Sequence, residues 1–64
     1  MTLKEARKKF NYSQNAIEAI TGVPQSTISR LERNSNKNAR ESMLEYAIVQ
    51  KIIEYEAKRN GKKE

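Results

Sequence analysis

The chain has 64 residues, 13 basic and 8 acidic, giving a net charge of +5 and a sequence pI near 9.8. A chain this short is a single domain, residues 1–64, that buries only about 60% of the surface its unfolded form exposes, so a staple or a partner subunit is expected. It has no cysteine, histidine or aspartate, which excludes disulfides, cysteine- or histidine-ligated zinc sites, Ser-His-Asp triads and cysteine nucleophiles, and leaves a partner subunit as the available device.

The eight acids are all glutamates, and Glu54 and Glu56 lie two apart on a helical stretch, pointing in different directions. The expectation is therefore a non-enzyme with no cofactor, no metal and no small-molecule ligand. The basic excess argues for a polyanionic partner. No apolar run approaches a membrane span and the N-terminus lacks the apolar core of a signal peptide, so the expected location is the cytoplasm, associated with the nucleoid.

In chain order, Thr2 and Glu5 have capping-box spacing and Leu3, Ala6 and Phe10 recur at helical intervals, predicting a first helix over about residues 3 to 10. Asn11 and Tyr12 form a short connection. Ser13 suits the N-cap of a second helix over about residues 14 to 20, although Ala16 cannot complete a capping box there. Gly22 then marks a stop and a sharp turn that favours positive φ, and Pro24 marks the first turn of a third helix over about residues 24 to 32. Ile17 and Ile20 give the second helix an apolar edge, Ile28 and Leu31 give one to the third, and Val23 plugs the turn.

That arrangement leaves Gln25, Ser26, Thr27, Ser29 and Arg30 as a polar front of amide, hydroxyl and guanidinium groups, the chemistry that reads base edges in a major groove. Arg33, Lys37 and Arg40 follow and are expected to contact phosphate, whereas Lys58, Arg59, Lys62 and Lys63 read as solvated charge.

The run Asn34, Ser35, Asn36, Lys37, Asn38 is a loop. Asn38 and Glu41 restart a helix with capping-box spacing, and no glycine or proline interrupts the stretch until Gly61, predicting a last helix over about residues 39 to 59. Met43, Leu44, Ala47, Ile48, Ile52 and Tyr55 cover one broad side of it, and Tyr46, Val49 and Ile53 form a second stripe. The second stripe meets either the first helix or the same helix of another copy. The latter gives a homodimer through Tyr46, Val49 and Ile53.

Residues 13–33 resemble the helix-turn-helix of the phage-repressor and Cro-like proteins, often called the Xre family. Gln14 stands where that motif opens, Gly22 at its turn, Ile28 and Leu31 at its buried positions, and Ser29, Arg30 and Glu32 in its S-R-x-E ending. Met43, Leu44 and Ala47 fall where a fourth helix packs back. The resemblance covers residues 3 to about 48 and implies an all-α, lambda-repressor-like bundle of about four helices with an extended C-terminal helix. It departs at Glu18, where the family favours a small residue, and in replacing two final helices by one.

By resemblance, Gln25, Ser26 and Arg30 are the leading base readers, and Gln14 bonds phosphate and braces Gln25. The implied function is a sequence-specific double-stranded DNA-binding transcriptional regulator, a repressor in the first instance because no ligand-sensing or polymerase-recruiting segment is evident. The alternatives are a protein-interaction module, such as an antitoxin or adaptor, and an excision factor that bends DNA.

Overall fold

Three side-chain caps and two left-handed residues divide the chain into four helices. The computed structural model describes residues 2–34 and 36–60; Ser35 in the loop, the helix stop assigned to Gly61, and the tail lysines Lys62 and Lys63 lie outside the described residues. Helix α1 is Leu3–Phe10, α2 Gln14–Thr21, α3 Gln25–Arg33 and α4 Ala39–Asn60, and no strand occurs among the described residues.

The Thr2 hydroxyl accepts from Glu5 N at 3.1 Å while the Glu5 carboxylate accepts from Thr2 N at 2.8 Å, a complete capping box. Ser13 accepts from Ala16 N at 3.0 Å, the one-sided cap that the sequence allows. Asn38 and Glu41 close the third cap, with Glu41 N donating to Asn38 Oδ1 at 2.8 Å and Asn38 N to the Glu41 carboxylate at 3.3 Å.

Two of the helix stops are left-handed. Asn11 has φ +63° and its N–H donates to the carbonyls of Arg7 and Lys8, a role for which asparagine is the best residue after glycine. Gly22 has φ +79° and its N–H donates to the Glu18 carbonyl. Thr21 assists, donating its hydroxyl to the Ile17 carbonyl at 2.8 Å and accepting from Val23 N at 3.2 Å.

The core is assembled from one or two positions per short helix and three on α4: Leu3 and Ala6, Ile17, Ile28 and Leu31, then Ile48, Val49 and Ile52. Phe10, Tyr12, Val23 and Leu44 pack around it. Each fully buried leucine or isoleucine contributes about 1.5–3 kcal/mol by transfer from water. α4 packs against both α1 and α2, α2 against α3, and α1 against α3.

Covering α4 on two flanks changes the assignment of its stripes. Val49, expected in an outward stripe, is 3% exposed and belongs to the core of its own chain, because α1 and α2 together bury an arc wide enough to take in positions 48, 49 and 52. Conversely Met43 and Ala47, expected to pack inward, face solvent. Met43 is 73% exposed and Tyr46 67%.

α4 also clamps the other elements by its first two turns. The Glu45 carboxylate accepts from Leu3 N at 2.9 Å, satisfying one of the free amides at the start of α1, and sits 3.6 Å from Lys37 Nζ.

Candidate nucleic-acid interface

At 100° per residue, Gln25, Ser26, Ser29, Arg30 and Arg33 occupy about 140° of the α3 surface, opposite Ile28 and Leu31. Gln25, Ser26, Arg30 and Arg33 are exposed and Ser29 is half-buried. Thr27 lies about 200° round from Gln25, beside Leu31, and is half-buried. The polar front therefore comprises Gln25, Ser26, Ser29, Arg30 and Arg33, with Thr27 at its margin.

Pro24 precedes the helix as its N-cap and carries no capping side chain, one position earlier than the first-turn role expected of it. Glu18 supplies the missing acceptor: its carboxylate takes Gln25 N at 3.2 Å. A glutamate at this position of α2 thus caps the next helix from outside and places negative charge at the positive end of its dipole.

A relay of four side chains fixes how α3 presents its first residue. Arg7 Nε and Nη2 donate to the two oxygens of Glu32 at 2.7 and 3.0 Å, and its Nη1 donates to the Tyr12 carbonyl at 3.3 Å. Gln14 Nε2 donates to Glu32 at 3.2 Å, and Gln25 Nε2 donates to Gln14 Oε1 at 2.6 Å. The direction of the relay follows from the carboxylate, which can only accept. Gln14 must turn its NH₂ to Glu32, which leaves its oxygen for Gln25. Gln25 keeps one N–H and its own oxygen outward, the donor and acceptor pair that matches N7 and N6 of adenine. The expected brace between Gln14 and Gln25 is present.

The electrostatics support the relay. Burial disfavours the Glu32 carboxylate, but the hydrogen bonds from Arg7 and Gln14 and the Arg7 charge outweigh it and hold its pKa below the ordinary range. The hydrogen bond to Glu32 likewise raises the pKa of Arg7. A second cluster surrounds Glu41, which pairs with Arg30 and accepts from Asn34 Nδ2 at 3.3 Å. The Arg30 hydrogen bond, and then the Asn38 backbone bond, lower the Glu41 pKa. Arg30 is thereby tethered at its exposed edge, its side chain 52% exposed.

The phosphate set divides. Arg33 and Arg40 are exposed. Lys37 departs from the expectation: its ammonium donates to the Asn34 carbonyl at 2.6 Å, lies 3.6 Å from Glu45 and has only 15% of its side chain exposed. It ties the loop after α3 to α4, drawn in by a helix-end carbonyl and a carboxylate.

The sequence marks Glu32 only as part of a motif ending and gives Arg7 no role beyond the basic excess. It marks neither Glu18 as a cap nor Glu41 as a tether. The signal available for the first pair was an arginine and a glutamate, each one step off an apolar stripe, on helices expected to pack together.

A helix-turn-helix family model matches residues 3–45, well over half of the chain. The chain belongs to the Cro/C1-type helix-turn-helix family. No curated protein and no solved structure matches it. In this Cro/C1-type protein the match spans α1, α2, α3 and the start of α4, and it indicates a DNA-binding helix-turn-helix regulator. A surface concavity lies elsewhere, lined by Ala19, Ile20, Lys51 and Tyr55 among others, and takes no residue from α3. Among the described residues there is no grouping of three or more acidic, cysteine or histidine side chains fit to hold a metal, and no helix long and apolar enough to cross a membrane.

Proposed function

We propose that this protein is a sequence-specific transcriptional repressor that binds double-stranded DNA as a homodimer in the cytoplasm, in contact with the nucleoid. In this reading α3 enters the major groove and Gln25, Ser26 and Arg30 read base edges. Ser29 adds a hydroxyl contact and Thr27 a contact at the edge of the groove. Gln14 and Arg33 hold phosphates and set affinity without reading sequence. The observation that carries the proposal is the relay to Gln25, because it fixes an amide in one orientation at an exposed helix start, at the cost of ordering three other side chains.

Selection of bound duplexes from random DNA tests the proposal. A two-fold regulator of this kind selects a near-palindrome with half-sites about 34 Å apart. Gln25→Ala should relax one base pair per half-site, weakening binding by about 1–3 kcal/mol. Absence of any enriched sequence would defeat the reading and favour a protein-interaction module, whose supporting observation is the exposure of Met43 and Tyr46.

A further inference from the structure

The outward face of α4 carries a pattern that the core does not use. Ala39, Met43, Tyr46, Gln50, Ile53 and Ala57 are spaced 4, 3, 4, 3 and 4 residues apart and none is charged. This is the alternation of a two-helix seam, sustained over two and a half heptads. Met43, Tyr46 and Ile53 are 73%, 67% and 38% exposed, and Ala39 and Ala57 are exposed at the ends. Along one edge of the seam run Arg40, Ala47 and Glu54, all exposed. Along the other run Ser42, Val49 and Glu56. That second edge is closed at its centre and one end, since Val49 is in the core and Glu56 accepts from the Tyr12 hydroxyl at 2.8 Å.

We infer that a second copy of this chain docks on this face with the two α4 helices antiparallel, which deepens the two-fold reading of the function and rests on it. Charge decides the direction. In a parallel pair each edge meets the opposite edge of its mate, so Ala47 and Glu54 would face Ser42 and Val49, and Arg40 and Glu54 could not pair. In an antiparallel pair like edges meet, the closed edges on one flank and the open edges on the other, and Arg40 is set against the partner's Glu54.

The residues complement one another in that register. Met43 meets the partner's Ile53, Tyr46 meets the partner's Gln50, and Ala39 meets the partner's Ala57. Arg40 faces the partner's Glu54 at both ends of the open edge, and Ala47 faces its own copy at the centre, where a small side chain lets the helices approach. Among the described residues neither Arg40 nor Glu54 takes part in an ion pair within its own chain. The contact is isologous and closes on itself as a dimer. It is a short seam between two chains of charge +5, so the dimer is concentration-dependent.

The absence of cysteine makes the register directly readable. Met43→Cys and Ile53→Cys proteins, mixed without DNA and oxidised, should form a disulfide-linked heterodimer. Each alone should not cross-link, because like positions lie about 15 Å apart along the antiparallel seam and a disulfide needs Cα atoms within about 7 Å. Arg40→Glu should raise the dimer Kd by about tenfold, and Arg40→Glu with Glu54→Arg should restore it; circular dichroism checks that each variant folds. Self-cross-linking of Met43→Cys would show a parallel pair and overturn the inference. So would a chain that sediments as a monomer up to about 1 mM, or a dimer indifferent to both cysteine and charge variants. Because every arm omits DNA, failure of the seam leaves base reading by α3 standing, and failure to select a DNA site leaves the seam standing.

Discussion

Glu32→Ala removes the acceptor that three groups share. In the folded chain Arg7 donates twice to this carboxylate and Gln14 once, and the Arg7 and Glu32 side chains are only 20% and 7% exposed. Removing one partner of a fully buried pair costs about 3–5 kcal/mol, and an exposed pair is worth about 0–1. The partial exposure of Arg7 places this pair between them, at about 2 kcal/mol. A domain of this length has a total stability of about 3–10 kcal/mol, so the loss is a large fraction of it and should lower the melting midpoint by about 8–16 °C. Glu32→Gln keeps one oxygen and the side-chain volume and should lose about half as much. Thermal and urea unfolding followed by circular dichroism measure both variants. A Glu32→Ala midpoint within about 2 °C of the parent would refute the claim that the relay supports the fold.

The remaining predictions concern acid, the turn and two cationic positions, one at the end of α3 and one in the loop after it. Glu32 and Glu41 both have folded-state pKa values below their ordinary ones. Their stabilisation is therefore complete above the unfolded value of about 4.3 and is lost as pH falls through the lowered folded values; Glu32→Gln should flatten the acid limb of a stability-against-pH curve, and an unchanged limb would count against it. Gly22→Ala meets no atom within 4 Å of the added Cβ but must hold φ +79°, so it should lose about 1 kcal/mol from strain alone in a urea titration. Arg33→Ala should reduce the slope of log affinity against log salt by about one unit. Lys37→Ala should lower stability instead and leave that slope close to the parent value, and the opposite pattern would return Lys37 to the phosphate set.

The helices were legible in the sequence because their ends are written in local chemistry. Thr2 with Glu5, Ser13, Gly22, and Asn38 with Glu41 each act within four residues, and each is seen in the expected place. What the sequence hid depends on contacts between elements. Whether Val49 faces in or out is set by how far α1 and α2 wrap around α4, an angle that no periodicity specifies. Lys37 reads as a free cation until Glu45, eight residues on, is brought beside it. The relay from Arg7 to Gln25 joins α1, α2 and both ends of α3, so no single window contains it. Glu18 looked like a misfit by resemblance because its partner is a backbone amide, which every sequence offers and none advertises.

Methylation of guanine N7 by dimethyl sulfate, carried out on a selected site with and without protein, tests most directly whether the outward face of α3 reads the major groove. N7 lies in that groove, and adenine N3 in the minor groove reports the alternative. Protection of a guanine N7 in each half-site, lost at that one position in Arg30→Ala, is the predicted result. Protection confined to adenine N3, or guanine protection unchanged by Arg30→Ala and by Gln25→Ala, would contradict it.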